Sequence, residues 1–382
     1  MKKKVLIISY YDWWNIRQKY FAEWFLEHGY QVKYITSNFN HITKKRKKKD
    51  EIPPIGEVIE VPIYKHNLSL KRIRSNLYFS NKIKAYLKHN DYDIIICLIP
   101  CNSLGNALMY YRKKNPNVKI IIDILDLWPE TLPFHKLKYL FSPCLYLWKN
   151  MRDLAIKSAD VIITECSLFK QEINGELNNK KSYVLYLQKN NGYDFRYKET
   201  NKYLSFAYLG SINNIIDIDN IVKLLSLINK KIKVKLEIIG CGSSEREFIE
   251  KSKREGIEVN YHGAIFDEIK KHEILQKCHF GLNMMKESVI VGLTTKSMDY
   301  LRENLPLINS IPHDTKNLIN KYESGININA SNIEHSSFQL INISDDSYNQ
   351  LALNAKKMFD ENFSNSIYLK KLDFILKEIV KN

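Results

Sequence analysis

The sequence of 382 residues lacks long apolar runs. This absence argues against a protein secreted through a signal peptide and against a membrane-spanning protein. The opening lysines precede an apolar run of only four residues, Val5–Ile8, which is too short for the central region of a signal peptide. No stretch approaches the ~20 apolar residues that a membrane-spanning helix needs. We therefore expect the protein to stay in the cytosol.

Closely spaced cysteine pairs are also lacking. The six cysteines show no C-x-x-C spacing, and several of them fall within apolar segments. The sequence therefore indicates neither a zinc site nor a disulfide framework, and we expect most of the thiols to be reduced core residues. The cysteines are Cys97, Cys101, Cys144, Cys166, Cys241 and Cys278.

Positive charge, in contrast, is abundant and unevenly distributed. The chain carries 58 Lys and Arg against 42 Asp and Glu, a net charge of +16. Residues 1–190 hold 32 of these basic residues and 17 of the acids, net +15, so the remainder is nearly neutral. A charge concentrated on one half points to an anionic partner, for which nucleic acid and the anionic cytoplasmic leaflet are the two candidates. A surface charged only for solubility is the alternative.

Residues 134–157 favour the leaflet over nucleic acid. Here basic residues alternate with aromatic and aliphatic ones, a composition that suits a helix lying in a membrane interface. A helix that faces the core and carries a basic outer face would show the same pattern. The basic residues are Lys136, Lys138, Lys149, Arg152 and Lys157.

Short apolar segments alternate with helical patterns along the whole chain, which predicts an α/β fold with parallel, doubly wound sheets. The alternation stops in the polar stretch 189–202 and then begins again. We therefore predict two Rossmann-like domains, residues 1–195 and 196–365, facing a cleft, and a closing helix within 366–382. The predicted strands of the first domain are Lys4–Tyr10, Gln31–Thr36, Glu57–Pro62, Asp93–Pro100, Lys119–Leu125, Val161–Glu165 and Ser182–Gln188. Those of the second are Leu204–Leu209, Lys233–Ile239, Val259–His262, Phe280–Met285, Leu305–Ser310 and Gly325–Asn329.

Three turns that follow strands of the second domain contain residues suited to a nucleotide. In the first turn, Gly210 precedes Ser211, and glycine lets the backbone approach a ligand closely. The second contains Gly240 and Gly242, and Ser244 is predicted to form a capping box with Glu247. Each glycine turn alone is typical of an ordinary tight turn, and the complete G-x-G-x-x-G fingerprint of a dinucleotide site is missing.

The third turn, Thr294–Lys296, begins a predicted helix that ends at Asn304 and Pro306. Its backbone N–H groups, two hydroxyls and one ammonium group match the needs of a diphosphate. Asp299, one turn further into the helix, could bind both hydroxyls of a ribose. Because the carboxyl ends of parallel strands share one edge of a sheet, the three turns together predict a nucleoside-diphosphate site.

Segments in both predicted domains resemble a known family. The sequence carries a Tyr-Leu-Gly-Ser turn (residues 208–211), Ile-Ile-Gly-x-Gly (238–242), His262-Gly263, Thr-Lys-x-x-Asp-Tyr-Leu (295–301) and, in the first domain, Asp-Ile-Leu-Asp-Leu-Trp-Pro-Glu (123–130). These segments resemble GT-B glycosyltransferases of family 4, and within that family the bacterial enzymes of capsule, O-antigen and lipopolysaccharide synthesis.

The resemblance implies a hexosyltransferase that retains the anomeric configuration and requires neither a metal nor a cofactor. It places Asp299 on the ribose, where the family has the second of two glutamates spaced eight positions apart. A UDP-sugar is the preferred donor over a GDP-sugar. Residues Gly210, Ser211, Gly240, Gly242, His262, Thr294, Thr295, Lys296 and Asp299 are then expected to bind this donor.

The sequence departs from the family in three places that bear on the site. The histidine often found near the first-domain site is absent, and Leu125-Asp126 stands there. The first glutamate falls at Val291, so Glu287 is the candidate to contact the donor sugar. The basic pair that follows the glycine turn is replaced by Asn213 and Asn214. We therefore expect Lys296, with Lys286 and nearby N–H groups, to neutralise the diphosphate.

The first domain is predicted to bind the acceptor, a membrane-held, lipid-linked saccharide. Two groups of aromatic and polar residues follow its strands, and Asp126 is the candidate base or orienting acid. His135 lies near the second group. Either group could instead pack locally and cap helices. The expected acceptor contacts are Asp12, Trp13, Trp14, Asn15, Arg17, Trp128 and Glu130.

The sequence thus predicts a glycosyltransferase located peripherally on the inner face of the cell membrane, with Asp126, Glu287 and Lys296 at its reacting centre. Three alternatives remain open. A nucleotide-sugar epimerase could use the same scaffold, a nucleic-acid-binding protein would explain the charge, and a scaffold protein would explain the missing basic pair. The absence of zinc-finger and RNP-like patterns argues against the nucleic-acid alternative.

Overall fold

The computed structural model describes residues 2–11, 14–41, 43–67, 69–131, 142–177 and 179–381. The chain forms two compact units. Unit 1 contains residues 1–187 together with 369–382, and unit 2 contains residues 188–368. The division after residue 187 precedes the predicted boundary at 195, and all but the first three residues of the predicted closing segment 366–382 belong to unit 1.

Unit 1 is built on a seven-stranded sheet whose strands run β5-β2-β1-β6-β7-β8-β9, with every neighbouring pair parallel. Its central strands are continuous isoleucine-rich runs because a parallel sheet is covered on both faces. These strands are β1 Lys4–Ser9, β2 Gln31–Ser37, β5 Gly56–Ile59, β6 Ile94–Ile99, β7 Lys119–Ile124, β8 Val161–Thr164 and β9 Lys181–Val184. A separate small hairpin pairs β3 Phe39–Asn40 with β4 Lys45–Arg46.

The helices of unit 1 include a π-helical turn, Trp14–Gln18, that leads into α1 Lys19–Glu27. Gly29 ends α1 with a positive φ of 81°, as its position in the sequence predicts. The other described helices are α2 Leu70–Leu87, α3 Leu104–Lys114, α4 Ser142–Ser158, α5 Ser167–Glu172 and α6 Asn174–Leu177, with a 3-10 turn at Lys49–Glu51.

Unit 2 is a six-stranded parallel sheet in the order β12-β11-β10-β13-β14-β15, which is the strand order of a dinucleotide-binding fold. Its strands are β10 Leu204–Leu209, β11 Val234–Ile239, β12 Glu258–Tyr261, β13 Phe280–Asn283, β14 Leu307–Asn309 and β15 Gly325–Asn327. Its helices are α7 Ile218–Asn229, α8 Glu245–Arg254, α9 Glu268–Leu275, α10 Thr295–Arg302, α11 Asp314–Tyr322, α12 Ile333–Ile341 and α13 Asp345–Asn362, followed by α14 Asn365–Lys381, which continues into unit 1.

The predicted fold class is confirmed, since all thirteen predicted strands are present in two Rossmann-like parallel sheets. Most of them end one to three residues earlier than predicted. The predicted capping box is wrong, however. The Ser244 side chain caps no helix, and it is Glu245 that accepts a hydrogen bond from the N–H of Gly242 at 3.3 Å.

All six cysteines are free thiols, four of them buried, while Cys144 and Cys241 are exposed. Within the described part of the chain, no cluster of three or more His, Cys, Asp or Glu side chains could hold a metal ion. Nor does any helix among those residues have the length and apolar character needed to cross a membrane.

Candidate functional sites

The loops that follow β10 and β13 are joined at the carboxyl edge of the unit 2 sheet. The N–H of Lys286 donates to the carbonyl of Ile215 at 2.9 Å, and Ile216 forms an antiparallel bridge with Met285. β10 and β13 are neighbours whose connections leave toward opposite sides, which is the switch point where such sheets bind ligands. The two loops predicted to bind the donor therefore meet at the expected place.

Gly240 and Gly242 pack against the loop that follows β10. A Cβ on Gly240 would lie 1.9 Å from the carbonyl oxygen of Gly210, and one on Gly242 would lie 2.1 Å from that of Ile212. The two loops also share hydrogen bonds, from Gly210 to Ile239 at 2.9 Å and from Ile212 to Cys241 at 3.0 Å. Loop packing thus explains why both positions are glycine, and their contact with the donor stays a prediction.

The backbone donors at this edge differ from those predicted in one respect. The N–H of Gly210 bonds to Ile239 and is not available to a diphosphate. The N–H groups of Ser211, Thr295 and Lys296 make no hydrogen bond within the described residues. They lie in the glycine turn and the first turn of α10, where free N–H groups favour an anion.

Thr294 caps α10 and is fixed by a row of three asparagines, two buried and one half-buried, that were not among the predicted site residues. Its hydroxyl accepts from the N–H of Ser297 at 3.3 Å and donates to Oδ1 of Asn283 at 2.7 Å. The amide of Asn283 donates to Oδ1 of Asn309, which in turn donates to Asn327, at 2.9 and 2.8 Å. These asparagines end the three neighbouring strands β13, β14 and β15, and this repeated position was the available signal.

Lys296 contacts the end of β10 and is buried, with 9% of its surface exposed. Its Nζ is 4.6 Å from the ring centroid of Tyr208, whose hydroxyl donates to the carbonyl of Ser211 at 2.8 Å. Burial lowers the pKa of Lys296 to about 7, because the charged amine is removed from water. An anion bound at this turn would favour the charged form.

Asp299, the expected ribose ligand, forms an ion pair in this structure. Lys189 Nζ is 2.6 Å from its Oδ1, and the Asp299 side chain is 14% exposed. Lys189 comes from the first residues of unit 2, 110 positions earlier in the chain, and was not among the predicted site residues. A ribose bound to Asp299 would have to share this carboxylate with Lys189 or displace it.

The remaining donor-side residues are less enclosed. Glu287, Lys286 and Thr295 are exposed on the loop after β13 and at the start of α10. His262 follows β12, and its Nε2 is 2.7 Å from Oε2 of Glu237. The roles predicted for Glu287 and His262 therefore stay predictions.

In unit 1, the prediction that Arg17 contacts an acceptor is wrong. Arg17 is fully buried, and its guanidinium forms two bonds to Asp123, at 2.7 and 2.8 Å, and a third to the carbonyl of Leu185. A bidentate pair of this kind satisfies both buried charges. Arg17 and Asp123 therefore stabilise the core, whereas Asn15, in the same turn, is exposed.

Asp126 and Trp128 follow β7 and belong to a mixed aromatic and cationic group. Burial raises the pKa of Asp126, which accepts a hydrogen bond from the Thr131 hydroxyl at 2.6 Å. The guanidinium of Arg72 lies 3.9 Å from the ring centroid of Trp128, and both Arg72 Nε and Nη2 donate to the Tyr11 hydroxyl. Neither Arg72 nor Tyr11 was among the predicted site residues.

Two other predicted acceptor residues have partners within unit 1. Glu130 accepts from the fully buried Arg152 at 2.6 Å, and the rings of Trp14 and Tyr34 are 4.9 Å apart. Asp12, Trp13 and His135 lie outside the described residues.

Only the second part of the predicted interfacial segment 134–157 is described, as α4 from Ser142 onward. Arg152 is buried there, and Lys149 pairs with Glu176 at 2.9 Å. Tyr146 and Leu147 are exposed, at 68% and 57%. Aromatic and aliphatic side chains thus face solvent at the start of α4, whereas one of the basic residues does not.

Comparison with known proteins identifies the fold. No protein-family model matches the sequence, and a comparison with curated protein sequences finds no relative. Among solved structures, the chain is similar to the apo form of the lipopolysaccharide outer core galactosyltransferase WaaB, with a TM-score of 0.67 and 15% identity over 98% of this chain and 99% of that one.

Two further structures have similar scores. WaaG, a glycosyltransferase involved in lipopolysaccharide biosynthesis, gives a TM-score of 0.63 at 13% identity over 97% of this chain and 99% of the other. HepE from Anabaena, solved in complex with UDP and glucose, gives 0.63 at 12% identity over 98% and 100%. The protein therefore has the GT-B fold of these glycosyltransferases.

Proposed function

We propose that this protein is a glycosyltransferase that moves a sugar from a nucleoside-diphosphate sugar to a saccharide acceptor. One observation carries the proposal. The β10 and β13 loops of a GT-B fold meet at the switch point of unit 2 and bring together the first turn of α10, Lys296 and the glycine turn. HepE, which shares the fold, is recorded with UDP and glucose, and this supports UDP as the nucleotide.

The donor diphosphate would lie against the N–H groups of Ser211, Thr295 and Lys296. As the sugar–phosphate bond breaks, negative charge grows on the leaving diphosphate. Preorganised N–H groups and an amine that gains a proton stabilise that charge more than they stabilise the ground state. Asp299 would bind the ribose and Glu287 the donor sugar. The reaction proposed here needs no metal and retains the anomeric configuration.

The acceptor would bind at the carboxyl edge of the unit 1 sheet, near Asp126 and Trp128. A carboxyl group whose pKa is raised by burial suits a proton acceptor or an orienting group. The face of Trp128 that Arg72 does not cover would stack on a sugar ring. We propose a lipid-linked glycan precursor as the acceptor, in the synthesis of a surface polysaccharide such as lipopolysaccharide, capsule or O-antigen.

The exposed apolar residues of unit 1 support a location on the inner face of the membrane. On α2, Leu70 and Ile73 are exposed, at 84% and 41%, next to the exposed Lys71 and Arg74. Apolar and basic side chains on one helix face suit the interface of an anionic leaflet. The exposed Tyr146 and Leu147 add apolar surface on the same unit.

The proposal is tested by calorimetric titration of the protein with UDP, GDP, ADP and CMP, first without metal and then with magnesium. We expect saturable binding of UDP without metal. In a separate incubation with a UDP-sugar, we expect slow hydrolysis to UDP and free sugar. If none of the four nucleotides binds, the protein is not a nucleotide-sugar enzyme.

A further inference from the structure

Two cations of unit 1 are held together by one asparagine. The Nη1 of Arg72 donates to the carbonyl oxygen of Asn67 at 2.9 Å, and Nζ of Lys44 donates to the side-chain oxygen of the same residue. Lys44 also donates to the carbonyl of His41 and lies 5.2 Å from the ring centroid of Tyr64. The two positive charges are therefore fixed close to each other by neutral groups.

Among the described residues no carboxylate lies within ion-pair distance of Arg72 or Lys44, and the carboxyl of Asp126, on whose pKa the Arg72 charge acts, makes no direct pair with it. Arg72 is only 5% exposed, so water solvates little of its charge. A charge removed from water is costly unless an opposite charge compensates it, and a like charge nearby increases that cost. Such an arrangement is expected where an anionic ligand supplies the missing charge.

The electrostatic effect of these cations is visible on their neighbours. Burial and the Arg72 charge together lower the pKa of Lys44. Burial, Lys44 and Arg72 lower the pKa of His41 to about 4, so that this imidazole is neutral at physiological pH. The local potential is thus positive in the group formed by His41, Lys44 and Arg72.

Arg72 retains at least one donor for a ligand. Two of its five N–H groups bond to the Tyr11 hydroxyl, at 3.1 and 2.9 Å, and one to Asn67. Burial raises the pKa of the Tyr64 hydroxyl and a hydrogen bond with Arg72 opposes that rise, so at least one of the other two N–H groups, which lie one on each terminal nitrogen, is left for a ligand. Trp128 covers one face of the guanidinium at 3.9 Å, which fixes the plane in which these donors lie.

We propose that Arg72 and Lys44, beside Trp128, bind a phosphoryl group of the acceptor. The inference rests on the proposed function, because it assigns a chemical class to the acceptor of that reaction. A phosphoryl group carries up to two negative charges and several acceptor oxygens, which matches two cations and the planar donors of an arginine. Phosphate-linked lipid carriers and free phosphate share this chemistry.

The test uses the full chain, two probes that differ by one phosphate, and inorganic phosphate as a third. Geranyl monophosphate, geraniol and inorganic phosphate are each titrated calorimetrically. We expect geranyl monophosphate to bind at least about tenfold more tightly than geraniol, and more weakly as salt is raised. Tighter binding of geranyl monophosphate than of inorganic phosphate identifies a lipid-linked source, and equal binding identifies free phosphate.

The matched variants are Arg72→Gln and Arg74→Gln. Both remove one positive charge from α2, but Arg74 is exposed. Arg72→Gln should abolish the preference for the phosphorylated probe, and Arg74→Gln should leave it unchanged. Lys44→Gln is the second variant and should weaken the same preference, in case Arg72→Gln fails to fold.

Equal affinities for geranyl monophosphate and geraniol, or equal losses in the two arginine variants, overturn the inference. UDP is titrated into every variant as a separate arm, because its predicted site lies in unit 2. A native protein that binds UDP but shows no preference for the phosphorylated probe rejects the phosphoryl site alone. A protein that binds the phosphorylated probe through Arg72 but no nucleotide rejects the proposed donor chemistry alone.

Discussion

Lys296 is the residue whose ionisation should respond most to the donor. Its pKa near 7 is lowered by burial alone, so a large fraction of the amine is neutral at pH 8. Binding of a diphosphate at the adjacent turn adds negative charge and raises this pKa. The nucleotide complex should therefore take up a proton above pH 7. Below the free-state pKa the amine is already charged, and uptake should disappear.

Calorimetry in buffers of different ionisation enthalpy measures this uptake. At pH 8 we expect the apparent binding enthalpy of UDP to depend on the buffer, with up to one proton bound, and the affinity to fall as the pH rises further. Lys296→Met should abolish the dependence. Proton uptake that persists in Lys296→Met would assign it to a different group.

Asp299 can be tested through the ribose itself. If its carboxylate accepts hydrogen bonds from the ribose hydroxyls, the native protein should prefer UDP to 2′-deoxy-UDP by about tenfold, the contribution expected of one charge-assisted hydrogen bond. Asp299→Ala should bind both nucleotides equally and still unfold at nearly the native temperature. Lys189→Met, which removes the partner 2.6 Å away, serves as the control and should retain the preference. A preference unchanged in Asp299→Ala would place the ribose elsewhere.

At the scale of single residues, sequence patterns selected candidate site residues but not the contacts that these residues make. Asp299 and Lys296 could be selected because they follow a predicted strand end. Their partners could not be found in this way. Lys189, the partner of Asp299, lies 110 positions earlier in the chain, and Tyr208, which contacts Lys296 on α10, lies in strand β10. Arg17 was misassigned for the same reason. Its partner Asp123 is 106 positions away, and an arginine near a strand end resembles a ligand until that pair is seen.

The loops of unit 2 are elements whose shape depends on glycine. A Cβ at position 240 would meet the Gly210 carbonyl oxygen at 1.9 Å, so Gly240→Ala must displace the turn predicted to bind the diphosphate. We expect a loss of about 1–3 kcal/mol in the free energy of unfolding and clearly weaker UDP binding. Denaturant unfolding and calorimetry measure the two effects.

Gly263→Ala is the control for this prediction. Gly263 has a positive φ of 68°, but nothing lies within 4 Å of an added Cβ. Alanine there should cost only about 1 kcal/mol for the strained backbone and should leave UDP binding unchanged. If the two variants bind UDP equally well, the loop contact at Gly240 does not position the turn.

Strands were the elements that the sequence predicted best, because buried parallel strands form continuous apolar runs. β10 was predicted with its observed bounds, whereas β14 is three residues long and the predicted run of six continues past both ends. The capping box failed because helix caps depend on local geometry that the same letters can adopt in several ways. Ser244 takes φ −107° and ψ 12°, which is not the extended conformation in which a serine side chain caps a helix.

At the scale of the whole molecule, charge separates the two halves of the chain. Residues 1–190 carry +15 and the remainder about +1. In an anionic interface each basic residue close to the surface contributes about 1 kcal/mol, and the attraction falls within a Debye length. Binding to vesicles that contain anionic lipid should therefore decline steeply between about 0.1 and 1 M salt, as that length shortens from about 10 to about 3 Å.

The apolar contribution to membrane binding can be separated from the electrostatic one by substitution. Leu70 on α2 and Phe338 on α12 are both exposed apolar residues, at 84% and 65%, but they belong to the basic unit 1 and to the nearly neutral unit 2. Leu70→Ser should reduce the fraction that cosediments with anionic vesicles several-fold at moderate salt, because a leucine side chain buried in the interface contributes about 2 kcal/mol. Phe338→Ser should have no effect. Equal losses in the two variants would show that the membrane does not select this face of α2. Binding of the native protein to DNA with the same salt dependence, without binding to vesicles, would assign the positive charge to nucleic acid instead.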